Sequence, residues 1–130
     1  MSRTPKHARI ARLACSLACF VASAVAHAEA APERSFKLTI VQGAVPAEQR
    51  ILRVSKDDAV RLRVTGDASG ELHLHGYRLE VKLASGRPAE LGFKAYATGR
   101  YRFEWHPAGE PGKAGNHHGP PLATLEVRPR

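Results

Sequence analysis

From Phe36 onward, apolar and polar residues alternate with a period of two, and almost no helical period is present. Phe36-Lys37-Leu38-Thr39-Ile40 is a half-buried strand that stops at Gly43. Ile51-Leu52-Arg53-Val54 and Val60-Arg61-Leu62-Arg63-Val64 follow, separated by the turn-forming Lys56-Asp57-Asp58, and are expected to pair as an antiparallel opening. Asp67-Ala68-Ser69-Gly70 breaks the chain before Leu72. Apolar parity then changes: Leu72 and Leu74 are even, whereas Tyr77, Leu79, Val81 and Leu83 are odd. A glycine inside a strand pattern marks a bulge or bend, so Gly76 is where the apolar face should switch, with His73 and His75 at the end of the layers, looking inward.

Ala84-Ser85-Gly86-Arg87-Pro88 reads as a turn, and Leu91-Gly92-Phe93 and Tyr101-Arg102-Phe103-Glu104-Trp105 as further strands. From His106-Pro107 to Pro121 the chain is rich in glycine and proline and has no periodicity, which predicts one long loop over 106–121. Leu122 to Val127 closes the pattern. About seven short strands at regular spacing predict an all-β sandwich with one elaborated end.

The first 28 residues stand apart from this pattern. Arg3, Lys6, Arg9 and Arg12 precede an apolar run from Leu13 to Ala26, and Ala26-His27-Ala28 offers small residues for cleavage. Residues 1–28 are therefore expected to be a secretory signal peptide and residues 29–130 the exported domain. The apolar run is shorter than the roughly 20 residues a membrane span needs, and no later segment is apolar enough. Removing the four basic residues lowers the formal charge from +8 to +4. The remaining bases are spaced singly along strands, a solvated-face pattern that argues against a nucleic-acid partner. Cys15 and Cys19 are the only cysteines and both fall in the leader, so any metal in the exported domain must be held by nitrogen and oxygen.

Outside the leader, histidine is confined to two segments: His73 and His75 in the first, His106, His117 and His118 in the second. Residues two apart on a strand project from one face, so His73 and His75 offer a matched pair of imidazoles. His106 is expected at the loop entry, one of His117 and His118 as a ligand, Trp105 as a core aromatic, and Glu104 and Glu110 in solvent. No Ser-His-Asp or Glu-His set at suggestive spacing points to an enzyme.

Taken in order, His75-Gly76-Tyr77, Gly99-Arg100-Tyr101-Arg102-Phe103, a histidine late in the loop, and Ala123-Thr124-Leu125-Glu126-Val127 resemble a secreted cupredoxin-like domain related to the copper domain of cytochrome oxidase subunit II. The resemblance covers nearly all of residues 29–130 and implies a Greek-key β-sandwich with a metal site at one pole. It matches the first histidine ligand to His75 and the late-loop ligand to His118, with His117 a one-residue alternative. The chain departs from the family where the copper-binding cysteine and methionine belong: Trp105 and His106 stand at the first position, Pro121 and Leu122 near the second. A blue-copper site needs that thiolate. The resemblance thus implies a periplasmic copper carrier, buffer or resistance factor whose non-blue site draws on His75, His118, His106, His117 and His73. Cu(II) is the favoured ion and zinc the other candidate. A periplasmic or membrane copper-handling protein is the candidate partner. The alternative is a metal-free cupredoxin-like interaction or accessory module.

Overall fold

The computed structural model describes residues 32–109 and 120–130. The signal-peptide segment, Glu110, His117 and His118 lie outside these residues. The alternating runs form eight strands: β1 Glu33–Ile40, β2 Ile51–Ser55, β3 Ala59–Gly66, β4 Gly70–Leu74, β5 Leu79–Leu83, β6 Ala89–Lys94, β7 Gly99–Pro107 and β8 Ala123–Arg128. They build two sheets, ordered β1-β3-β6 and β2-β8-β7-β4-β5. The all-β sandwich expected from the period-two pattern is what the chain forms, and among the described residues the one helical element is a short 3-10 turn at Ala47–Gln49.

The core lies where the two inner faces meet. Leu38, Ile40, Leu62 and Val64 of the smaller sheet are buried with Leu52, Leu72, Leu74, Phe103 and Leu125 of the larger. These are the apolar members of each alternation, so their strand neighbours are carried to the outer faces.

Three expectations are corrected. First, β2 and β3 do not pair with each other. β2 runs parallel to β8, with Leu52 opposite Leu125, and β3 runs parallel to β1, with Leu62 opposite Phe36. The Lys56-Asp57-Asp58 link carries the chain from one sheet to the other, and Asp58 is 1% exposed at its hinge. The Asp58 carboxylate accepts the Ser55 backbone N–H at 2.9 Å and the Arg130 guanidinium at 2.8 Å, with Arg34 at 3.4 Å. The Ser55 N–H, then Arg34 and Arg130, hold its pKa below the usual carboxylate value against the opposing effect of burial.

Second, Gly76 marks a complete reversal. β4 and β5 are an antiparallel hairpin with Leu74 opposite Leu79, which places His75 to Arg78 in the connecting turn. Gly76 has φ +85°, and a Cβ there would lie 2.6 Å from the Tyr101 ring, so only glycine fits both the turn and its neighbour. Third, β7 continues through Pro107, so His106 is a strand residue and the loop begins two residues later than expected.

Candidate metal centre

Leu72 and Leu74 occupy the inner face of β4, which forces Glu71 and His73 outward. The imidazoles therefore sit on the outer face of the five-stranded sheet and do not look into the sandwich. On β7, buried Phe103 faces the core, so Arg102, Glu104 and His106 share the outer face. On β5 the same alternation turns Glu80 and Lys82 outward. Register then sets the neighbours: Glu71 lies opposite His106 across the β4–β7 pair, and His73 lies opposite both Glu104 on β7 and Glu80 on β5.

Two imidazole–carboxylate groupings result. In one, Glu104 is central. Its side chain is only 14% exposed, with Oε2 at 3.0 Å from His75 Nε2 and 4.0 Å from His106 Nε2, while Oε1 lies 3.7 Å from Arg102 Nε. The backbone N–H of His75 also donates to the Arg102 carbonyl at 3.0 Å, extending the β4–β7 ladder into the turn. In the other, His73 Nε2 lies 3.3 Å from Glu71 Oε2 and 3.9 Å from Glu80 Oε2. The groupings adjoin: the His73 ring centroid is 4.6 Å from that of His106 and 6.3 Å from that of His75.

The fold thus brings together His73, His75 and His106, three of the five predicted ligands, although they come from both histidine segments. Trp105 takes the opposite face of β7 and packs against the core, as its place beside outward-facing Glu104 and His106 requires. Its ring covers Gly70, where a Cβ would stand 2.7 Å from the indole. Glu104 is not the solvated residue expected. It is enclosed because the β4–β7 register sets it across from His73, between the flanking imidazoles. Glu71 and Glu80 were not singled out in the sequence. Glu71 was within reach, being two residues from His73 on one strand, but Glu80 becomes a neighbour only once the hairpin register is known.

Beside the turn lies an aromatic pole. Tyr77 packs on Tyr96 at 4.6 Å, on Tyr101 at 4.7 Å edge-on, and on Phe93 at 5.3 Å between centroids. Burial pushes the Tyr77 phenol pKa upward. These rings and the Tyr101 packing against Gly76 hold the turn that carries His75.

No protein-family model matches the chain, nor does the sequence of any curated protein. Solved structures do share its fold. A chain from a heme-copper terminal oxidase dimer superposes with a TM-score of 0.56 at 16% identity, covering 73% of this chain and 65% of that one, so this chain spans just under two thirds of its length. A copper-binding protein in its apo form gives 0.55 at 9% identity, covering 74% and 88%. The periplasmic domain of cytochrome oxidase subunit II from Bradyrhizobium japonicum gives 0.50 at 18% identity, covering 74% and 83%.

Proposed function

We propose that this chain, a cupredoxin-like domain akin to the copper domain of cytochrome oxidase subunit II, is a periplasmic copper-binding protein acting as a carrier, buffer or resistance factor. The observation that carries this reading is the meeting of His75 and His106 around the shielded carboxylate of Glu104. The donor set fits Cu(II) as an imidazole site: nitrogen and oxygen donors stand together, and the chain has no cysteine after Cys19. His75 and His118 are the principal ligands, with His117 the one-residue alternative to His118; His106 contributes less, and His73 and whichever of His117 and His118 points away contribute least. Bound copper would supply a redox-capable ion held without thiolate, with weak ligand-field absorption and no intense blue band.

Glu104 has a distinct part in this reading. At 3.0 Å its Oε2 stands where it would accept a hydrogen bond from His75 Nε2, in the tautomer that assigns the ligand role to Nδ1. A carboxylate behind a ligating imidazole fixes its orientation and raises its basicity.

The test is a Cu(II) titration of the protein and of its His75→Ala and His118→Ala variants under a competing chelator. Each variant is expected to bind more weakly than the wild type. Wild-type affinity in both would reassign the domain to a metal-free interaction module.

A further inference from the structure

We propose that Glu71, His73 and Glu80 form a second divalent-cation site, of mixed imidazole–carboxylate character, on the outer face of the β4–β5 hairpin. One ligand atom from each residue lies within 4.8 Å of the other two. A tetrahedral zinc ion with nitrogen and oxygen ligands at about 2.0–2.2 Å holds its donors roughly 3.3 Å apart. The His73–Glu71 separation of 3.3 Å already meets that spacing, and the 3.9 Å to Glu80 is closed by a small rotation of a side chain that is 65% exposed.

His73 Nε2 lies within hydrogen-bonding distance of Glu71 Oε2 at 3.3 Å, and Glu80 Oε2 stands at 3.9 Å, beyond a direct bond, so the three ligand atoms converge with room between them. Two anionic groups converging on one imidazole also repel each other. A divalent ion among the three satisfies every donor atom at once. Lys82, 79% exposed, sits 3.7 Å from Oε1 of Glu71 and offsets part of its charge, leaving Oε2 turned toward His73. Because Glu71 and His73 lie on one strand and Glu80 directly opposite His73, the backbone that holds them is already placed.

One imidazole and two carboxylates suit a first-row divalent ion such as Zn²⁺, with water completing the shell. This site uses none of His75, His106 and His118 and shares only His73 with the copper reading, where His73 contributes least, so the two are separated by variants at the residues they do not share.

The experiment is a Zn²⁺ titration of the purified protein against a chromophoric chelator, with the imidazole resonances of His73 followed by NMR. In the wild type, Zn²⁺ should shift the His73 resonances. Loss of even an outer-shell carboxylate weakens metal binding by about 10–100-fold, so the E71Q/E80Q variant should lose at least about tenfold in affinity and its His73 resonances should stay unmoved. The single Glu80→Gln variant, changed at an exposed position, should show the same direction of change with the wild-type melting midpoint. In the His75→Ala/His118→Ala double variant the Zn²⁺-induced His73 shift should persist. An unchanged affinity and His73 shift in E71Q/E80Q would overturn the proposal, as would loss of that shift in the His75/His118 variant. The copper reading is judged separately, on Cu(II) affinity.

Discussion

The two outer faces of the sandwich have the same construction and opposite chemistry. On the three-stranded sheet, Arg61 on β3 pairs with Glu33 at 3.0 Å and with Glu90 at 3.7 Å, and Arg63 reaches Glu90 at 3.4 Å. On the β4–β5–β7 part of the larger sheet, carboxylates again stand beside cross-strand nitrogen groups, but there imidazoles take most of the guanidinium positions. Arginine is always charged and has no lone pair to offer, so each carboxylate beside it is neutralised permanently. Neutral imidazole presents a lone pair that a metal can take, beside carboxylates that can share the ion. One substitution type, Arg for His at equivalent places in a sheet, separates a solvated ion-pair ladder from the face proposed to bind metal.

The largest expected effect in a test of this contrast is at Glu104. Glu104→Gln keeps the shape and removes the charge behind His75, so Cu(II) affinity should fall about 10–100-fold in a chelator competition. The same variant should leave the His73 response to Zn²⁺ in place. A fall in both would mean the two groupings act as one.

Acid should separate the faces next. Metal binding requires neutral imidazole, so affinity should drop on acidification. The ion-paired carboxylates respond later and with their own sign. The Arg61 hydrogen bond and charge hold the Glu33 pKa below its ordinary 4.5, and the Ser55 N–H and two arginines hold Asp58 below 3.8. A depressed folded-state pKa gives stability that is fully present above the unfolded value and is lost as pH falls through the lower folded one. Metal affinity should therefore decline on acidification before the fold does, with the melting temperature holding until pH is below about 4.5, readable by parallel titration and thermal melts.

The smallest effect belongs to the ladder. Glu90→Gln removes a carboxylate that is 51% exposed, and exposed ion pairs contribute little. The melting midpoint should move by no more than a few °C, and Cu(II) and Zn²⁺ affinities should be unchanged. A loss of metal affinity in Glu90→Gln would erase the distinction between the faces.

The strands were legible because alternation is local: Phe36 to Ile40 and Val60 to Val64 carry their burial pattern in their own residues. Pairing was not, because it joins residues far apart in the chain. The short Lys56-Asp57-Asp58 link looks like a hairpin turn, and only the burial of Asp58 among Ser55, Arg34 and Arg130 exposes it as a crossing between sheets. The candidate site divides in the same way. That His73 and His75 share a side followed from their spacing, but that side was expected to look inward; Leu72 and Leu74, buried on the inner face of β4, set it outward. The convergence of Glu104 with His75, and of Glu80 with His73, depends on registers that no spacing along one strand encodes.

The parallel edge strand has a kinetic consequence. In the five-stranded sheet β2 pairs only with β8, so Leu52 must wait for Leu125 across most of the described chain before that edge can form. The β4–β5 hairpin closes over the short turn 75–78, at a far lower loop-closure entropy. Glu71, His73 and Glu80 can therefore come together early, from a local segment, while the carboxylate between His75 and His106 is set only when β7 docks beside β4. Loop-closure entropy therefore favours assembly from the hairpin outward, with the β2–β8 edge sealed last.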